Sequence, residues 1–273
     1  MNFYENLVNF DTTGFGEQSL LQTDKHDGDL REEWFEGMNL EVPKKGSPKL
    51  AILLANNYGK HGGCCNCPGI SMQIATLFAQ NGYGIKLISN ATQLDDCVAL
   101  VLPHAVFELP SLFFSAPSRK VEFSEEVQVF AQCIKAAANK KIPLLAVGKS
   151  MLLLAGMGGL KLCERRYIET PINHANANHG IEVIEGSPFN NLNGLSVESR
   201  HSVFVAPPKV QRELLKLSED TPLPFFAFAR DGMPEGIADL EHGILGVQWL
   251  PDFFGQEPQI CLLAWLDSQV KKV

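Results

Sequence analysis

Clustered positive charge is missing from this chain. Its 273 residues carry 23 Lys and Arg against 31 Asp and Glu, a formal net charge of -8, with no long basic run to displace counterions from a phosphate backbone. Nucleic acid is therefore not an expected partner. Also missing is any stretch of about 18 uninterrupted apolar residues, the length that crosses a bilayer as a helix, so no membrane partner is expected either. The start, Met1-Asn2-Phe3-Tyr4-Glu5, has neither the basic head nor the apolar centre of a secretory signal. Cysteine is present without an even disulfide pattern. There are seven, and Cys97, Cys133, Cys163 and Cys261 are scattered among apolar neighbours, as small buried hydrophobes usually are. Together these absences point to a soluble protein of a reducing, cytoplasmic compartment.

A hydrophobic content of 45% over this length suits one globular α/β domain with a large core. Residues 1–47 read as an acidic N-terminal extension that packs on, or trails from, the main domain; Asp24, Asp27, Asp29, Glu32 and Glu33 crowd a short helix predicted near Leu30 to Met38. From residue 48 to 273 short apolar runs alternate with helical periods, the pattern of a mostly parallel sheet covered by helices on both faces. Strands are predicted at Leu50 to Leu54, Ile85 to Ile88, Val98 to Leu102 and Ile142 to Val147. Between them, Ile70, Ile74, Leu77 and Phe78 recur at helical spacing up to Gly82, and Ser124 can cap a helix striped by Val127, Phe130, Ile134 and Ala137.

After the fourth predicted strand, Gly148-Lys149-Ser150 passes directly into the apolar run Met151 to Ala155. A buried strand that turns into a helix within about three residues is the geometry of a nucleophile elbow, which holds a side chain above the sheet at the positive end of the new helix. Here the tip carries no nucleophile.

The stretch Ile142 to Leu162, IPLLAVGKSMLLLAGMGGLKL, resembles the elbow of the γ-glutamyl hydrolase and γ-glutamyl-γ-aminobutyrate hydrolase family, within the class I glutamine amidotransferase-like superfamily (peptidase C26). His179 to Ser187 resembles the family's HPVEIVPGS segment, Val197 to Ser202 its VNSxHHQ segment, Arg230 to Ile237 its strand ending in EAI, and Leu245 to Asp252 its LGVQWHPE segment. The matches run in order from about Pro48 to Leu266. The resemblance implies a three-layer flavodoxin-like sandwich and descent from cysteine-dependent hydrolases or amidotransferases.

It also implies what has been lost. The family's nucleophilic cysteine falls at Gly148 and its general-base histidine at Leu250, while the carboxylate that orients the histidine falls at Asp252. The loop that helps stabilise the oxyanion reads Pro103-His104-Ala105. Removing the nucleophile or base from such a unit lowers turnover by roughly 10^6, so family-type hydrolysis is expected to be negligible, although whether the chain is an enzyme at all stays open at this point. The expectation is a pseudoenzyme that binds a small ligand or a protein partner, with no cofactor required; self-association into a homo-oligomer stays open.

The other reading is an active hydrolase or transferase with a rebuilt site. Its parts would come from the loop His61-Gly62-Gly63-Cys64-Cys65-Asn66-Cys67 after the first strand, with His104 and His201. Loops at the carboxyl edge of such sheets face ligands, and His61, Cys64 and Cys67 are candidate soft metal ligands, although adjacent Cys64 and Cys65 cannot easily face one ion. Cleft candidates are His104 at the end of the third strand, Lys149 beside the elbow, His201 at the first histidine of HHQ, Glu235 in the EAI segment, and Cys64. His174 and His179 flank an Asn-rich stretch and read as a surface loop.

Overall fold

A computed structural model describes residues 1–15, 28–29, 36–37, 41–54, 67–167, 170–175, 177–252 and 257–272. Most of the helix expected near Leu30 to Met38 and the loop His61 to Asn66 lie outside these residues, as do the side chains of residues 67–71.

The expected α/β sandwich is the fold, built on one ten-stranded sheet. Its parallel half is laid down by β2 (Lys49–Leu53), β3 (Gly84–Ile88), β4 (Cys97–Leu102), β5 (Leu144–Val147) and β12 (Ile244–Val247), running side by side in the order β3-β2-β4-β5-β12. The two-residue β1 (Gly28–Asp29) flanks β3. Past β12 the sheet continues antiparallel through β11 (Pro234–Asp239), β10 (Phe225–Ala229), β7 (Ala177–Val183) and β8 (Ser196–Ser199). A small pair, β6 (Leu162–Glu164) with β9 (Val203–Val205), lies apart from it. The central strands are buried almost throughout, β5 and β12 at every position, as strands covered on both faces must be.

Helix positions follow from the apolar spacing and the caps. The helix Glu125–Lys140 starts where Ser124 Oγ accepts a hydrogen bond from Val127 N at 3.4 Å and ends at Lys141 in the left-handed conformation, and its stripe Val127, Phe130, Ile134 and Ala137 is buried. The predicted strand over Ile142 to Val147 begins at Leu144; Pro143, which lacks an N–H for the ladder, precedes it. Covered by these helices, the sheet divides the core into two large clusters, one behind each face.

The first helix, Phe3–Val8, belongs to that core. Phe3 and Leu7 are buried, Tyr4 Oη donates to Ala138 O at 2.7 Å, and Asn6 Nδ2 donates to Gly158 O at 3.0 Å. Phe3 lies so close to Gly158 that a Cβ there would stand 2.1 Å from its ring, which explains the glycine.

Candidate functional site

The elbow expected after β5 is present. Gly148 follows Val147 directly, has φ 61° and ψ -125°, and opens the helix Lys149–Met157. Its amide donates to Val247 O at 2.7 Å, which ties the turn to β12, while Ser150 Oγ donates to Pro103 O and ties it to the end of β4. A left-handed φ of this kind suits glycine, and strains other residues by about 1–3 kcal/mol.

The space above the elbow is already filled. His104, just past the end of β4, lays its ring over Gly148; a Cβ added to the glycine would meet His104 Nδ1 at 2.2 Å and Cγ at 2.9 Å. His104 Nδ1 also accepts the backbone N–H of Lys149 at 3.1 Å. In nucleophile-elbow enzymes the amide of the residue after the nucleophile is an oxyanion donor; in this chain an imidazole has taken it. That bond requires the lone pair on Nδ1, so His104 is the neutral Nε2–H tautomer. Burial, then the positive charges of Lys149, His201 and Arg200, push its pKa down to about 4. Burial also lowers the pKa of Lys149, against the opposing pull of Glu108 and Glu126, and its Nζ donates to Phe107 O at 2.8 Å.

A cavity of about 90 Å³ adjoins the elbow, and it brings together Gly148, Leu250, His104, Lys149 and His201. Three further polar side chains, Arg200, Ser202 and Gln248, share its wall. Asp252 is at the surface, in hydrogen-bond contact with Gln73 at 3.4 Å. Cys64 and His61 lie outside the described residues, and of Cys67 only the backbone, at the start of the helix Cys67–Gln80, is described. Next to the small cavity, and sharing Lys149, Ser202 and Val203 with it, is a larger one of about 470 Å³, whose walls include Phe107, Phe114, Arg119 and Arg165.

Glu235 does not line either cavity. It is fully buried on β11 and enclosed by three imidazoles: Oε1 is 3.1 Å from His174 Nδ1, 3.4 Å from His179 Nε2 and 3.2 Å from His201 Nε2. His174 and His179 are thus corrections to the surface-loop reading, since both are buried. The Asn-rich composition around them concealed this, because the partner that draws them inward is far away in sequence. His174 Nε2 meets Asp231 Oδ2 at 2.9 Å, and Thr170 Oγ1 donates to the same oxygen at 2.6 Å. Burial would raise the pKa of Glu235, yet the adjacent His201 charge and the surrounding imidazoles hold it well below the usual carboxylate range. Burial would likewise lower that of His174, but Glu235 and Asp231 raise it overall.

Known proteins share the fold. Similar solved structures include a putative GMP synthase protein from Thermoplasma acidophilum, with 14% identity over 83% of this chain and 96% of that one and a TM-score of 0.52. The glutaminase domain of Trypanosoma brucei CTPS with bound acivicin gives 12% identity, 82% and 94% coverage, and a TM-score of 0.54. PurLQS from Thermotoga maritima gives 12%, 81%, 98% and 0.52. At such identities the likeness speaks for the fold alone. No curated protein matches the chain. The model of the peptidase C26 family matches residues 110–252, more than half of the sequence and including the elbow, the histidine segment and β12, and the chain belongs to that family.

Proposed function

We propose that this chain is a catalytically silent member of its family, which binds a small acidic ligand beside the elbow without hydrolysing it. The observation that carries this reading is the 3.1 Å bond from Lys149 N to His104 Nδ1 over Gly148. Nucleophilic attack needs a thiolate or alkoxide at the elbow, a base next to it, and a free donor for the developing oxyanion. Glycine supplies no nucleophile, Leu250 no base, and His104 occupies the donor. A substrate oxygen reaches the Lys149 N–H only by displacing the His104 ring that already holds it.

Ligand binding draws its support from the larger cavity. Its wall carries Arg119, Arg165 and Lys149 against Glu108, which is paired with Arg119, and Glu164, and it also holds Phe107 and Phe114; the surplus positive charge beside apolar surface suits a small carboxylate with an apolar portion. The rebuilt-site alternative draws on His104 and His201, which share the smaller cavity, while the thiols of Cys64, Cys65 and Cys67 lie outside the described side chains. Cys97, Cys133, Cys163 and Cys261 are kept as thiols by burial, and none of them lines either cavity.

Equilibrium dialysis of the full chain against a γ-glutamyl dipeptide, followed by chromatography of the dipeptide, tests both halves. The expected result is saturable binding, weakened by Arg165→Ala, with the dipeptide recovered whole. No binding by this or any other small carboxylate would remove the ligand-holding role, and recovery of free glutamate would remove the silence.

A further inference from the structure

Glu235 and the three imidazoles around it form an arrangement that neither the fold nor the elbow requires. His174 comes from the segment before β7, His179 from β7 itself, His201 from the turn after β8, and Glu235 from β11. One ligating atom from each lies within 4.8 Å of all the others. Three of the residues are buried, and His201 is nearly so, at 10% side-chain exposure. Despite their closeness, His174 Nδ1, His179 Nε2, His201 Nε2 and both Glu235 oxygens make no aligned hydrogen bond.

Outer contacts decide which way the lone pairs point. Asp231 faces His174 Nε2 at 2.9 Å, and the carbonyl of Gly180 faces His179 Nδ1 at 3.3 Å. Both partners are acceptors, so each ring, when neutral, carries its proton on the far nitrogen and turns a lone pair toward the Glu235 carboxylate. Two lone pairs aimed at a buried anion repel it, and burying such groups unpaired is costly. A cation between them converts the repulsion into coordination. The outer pattern of carboxylate or carbonyl, imidazole and then a central point is the one that orients histidine ligands on metals. A tetrahedral ion with bonds of about 2.0–2.1 Å sets its ligand atoms about 3.4 Å apart, and the Glu235 oxygen already stands 3.1, 3.4 and 3.2 Å from the three nitrogens.

We infer that His174, His179, His201 and Glu235 form a closed divalent transition-metal site, of the three-nitrogen, one-oxygen kind that suits zinc. Four protein ligands in a buried setting leave no position for water or substrate, so the role is structural: the ion staples β7, β11 and the turn after β8 together. Because His201 also lines the cavity beside Gly148, the ion fixes one wall of that cavity. Imidazole nitrogen disfavours magnesium and calcium, which take oxygen ligands. This inference does not depend on the elbow being silent.

The test is metal uptake by the full chain, stripped with a chelator and then titrated with zinc and, separately, cobalt. One equivalent of zinc per chain, a higher melting temperature with zinc present, and visible absorption of tetrahedral cobalt without a thiolate charge-transfer band are expected. His179→Gln and His201→Gln are each expected to lose the bound equivalent, whereas Cys64→Ser with Cys67→Ser retains it. His201→Gln, at the rim, also serves if His179→Gln fails to fold. No stoichiometric uptake by the folded wild-type chain overturns the site, and then one imidazole is simply protonated against Glu235. Uptake that survives both histidine substitutions, or that shows a thiolate band, overturns it in favour of the cysteine loop.

Discussion

His104 Nδ1 stands 3.1 Å from the backbone nitrogen of Lys149, and the hydrogen bond between them closes the elbow at the point where a reacting oxygen would have to sit. The elbow therefore differs from the family's reactive one by more than the residues at 148 and 250: His104 packs over Gly148, so a cysteine placed there alone would overlap its ring.

The stability of a Gly148→Cys variant measures that overlap. The new Cβ would meet the His104 ring at 2.2 Å in a backbone conformation with φ 61°. Strain and overpacking together are expected to lower the unfolding free energy by at least about 2 kcal/mol, read by urea denaturation. Pairing it with His104→Gly should recover part of the loss, since the overlap is then gone; equal destabilisation with and without His104 would refute the steric explanation.

Stability should also respond to pH through His104. Its pKa falls from 6.5 to about 4 on folding, so between those values the unfolded chain binds more protons and the folded state loses ground as pH drops. The contribution is complete above pH 6.5 and gone below about pH 4. At about 1.4 kcal/mol for each tenfold change in proton affinity, it amounts to about 3 kcal/mol at most. His104→Gln, which keeps an acceptor for Lys149 N, is expected to flatten the difference in melting temperature between about pH 7 and about pH 4.5 relative to wild type.

Thiol reactivity distinguishes the silent from the rebuilt site. Burial raises Cys97 and Cys261 to about 11 and Cys163 to about 12, so at about pH 8 these are almost wholly protonated and slow to alkylate. Mapping with a mild alkylating reagent should find all four scattered cysteines sluggish and no cysteine faster than a free thiol; a hyper-reactive Cys64, Cys65 or Cys67 would favour the rebuilt site.

The helix Phe3–Val8 contributes to the core rather than decorating it, with Phe3 against Gly158 at the end of the elbow helix. Phe3→Ala is expected to destabilise the chain by about 3–5 kcal/mol, measurable by thermal unfolding. A change below about 1 kcal/mol would mean that the first helix is not docked in solution.

How much of this was legible in the sequence differs by residue. The parallel strands and the helix after Ser124 were visible because buried strands are continuously apolar and amphipathic helices repeat at about 3.6 residues. Gly148 and Leu250 were found through the family's segment order, and they do share one cavity. What stayed hidden depended on contacts between distant segments. Nothing local told that His104 would turn back over the elbow, or that His174 and His179, in polar and turn-forming surroundings, would be drawn inward by Glu235. Phe3 lies in the acidic extension, for which composition left open whether it packs on the main domain or trails from it; the contact with Gly158 depends on a segment far away in sequence.

Glutamate and ammonia release by the wild-type full chain, given L-glutamine or a γ-glutamyl dipeptide at neutral pH, tests the silence of the elbow most directly. Rates equal to those of buffer are expected at every protein concentration. Saturable release that scales with protein, survives a second purification step and disappears with Cys64→Ser, Cys65→Ser or Cys67→Ser would contradict a silent elbow.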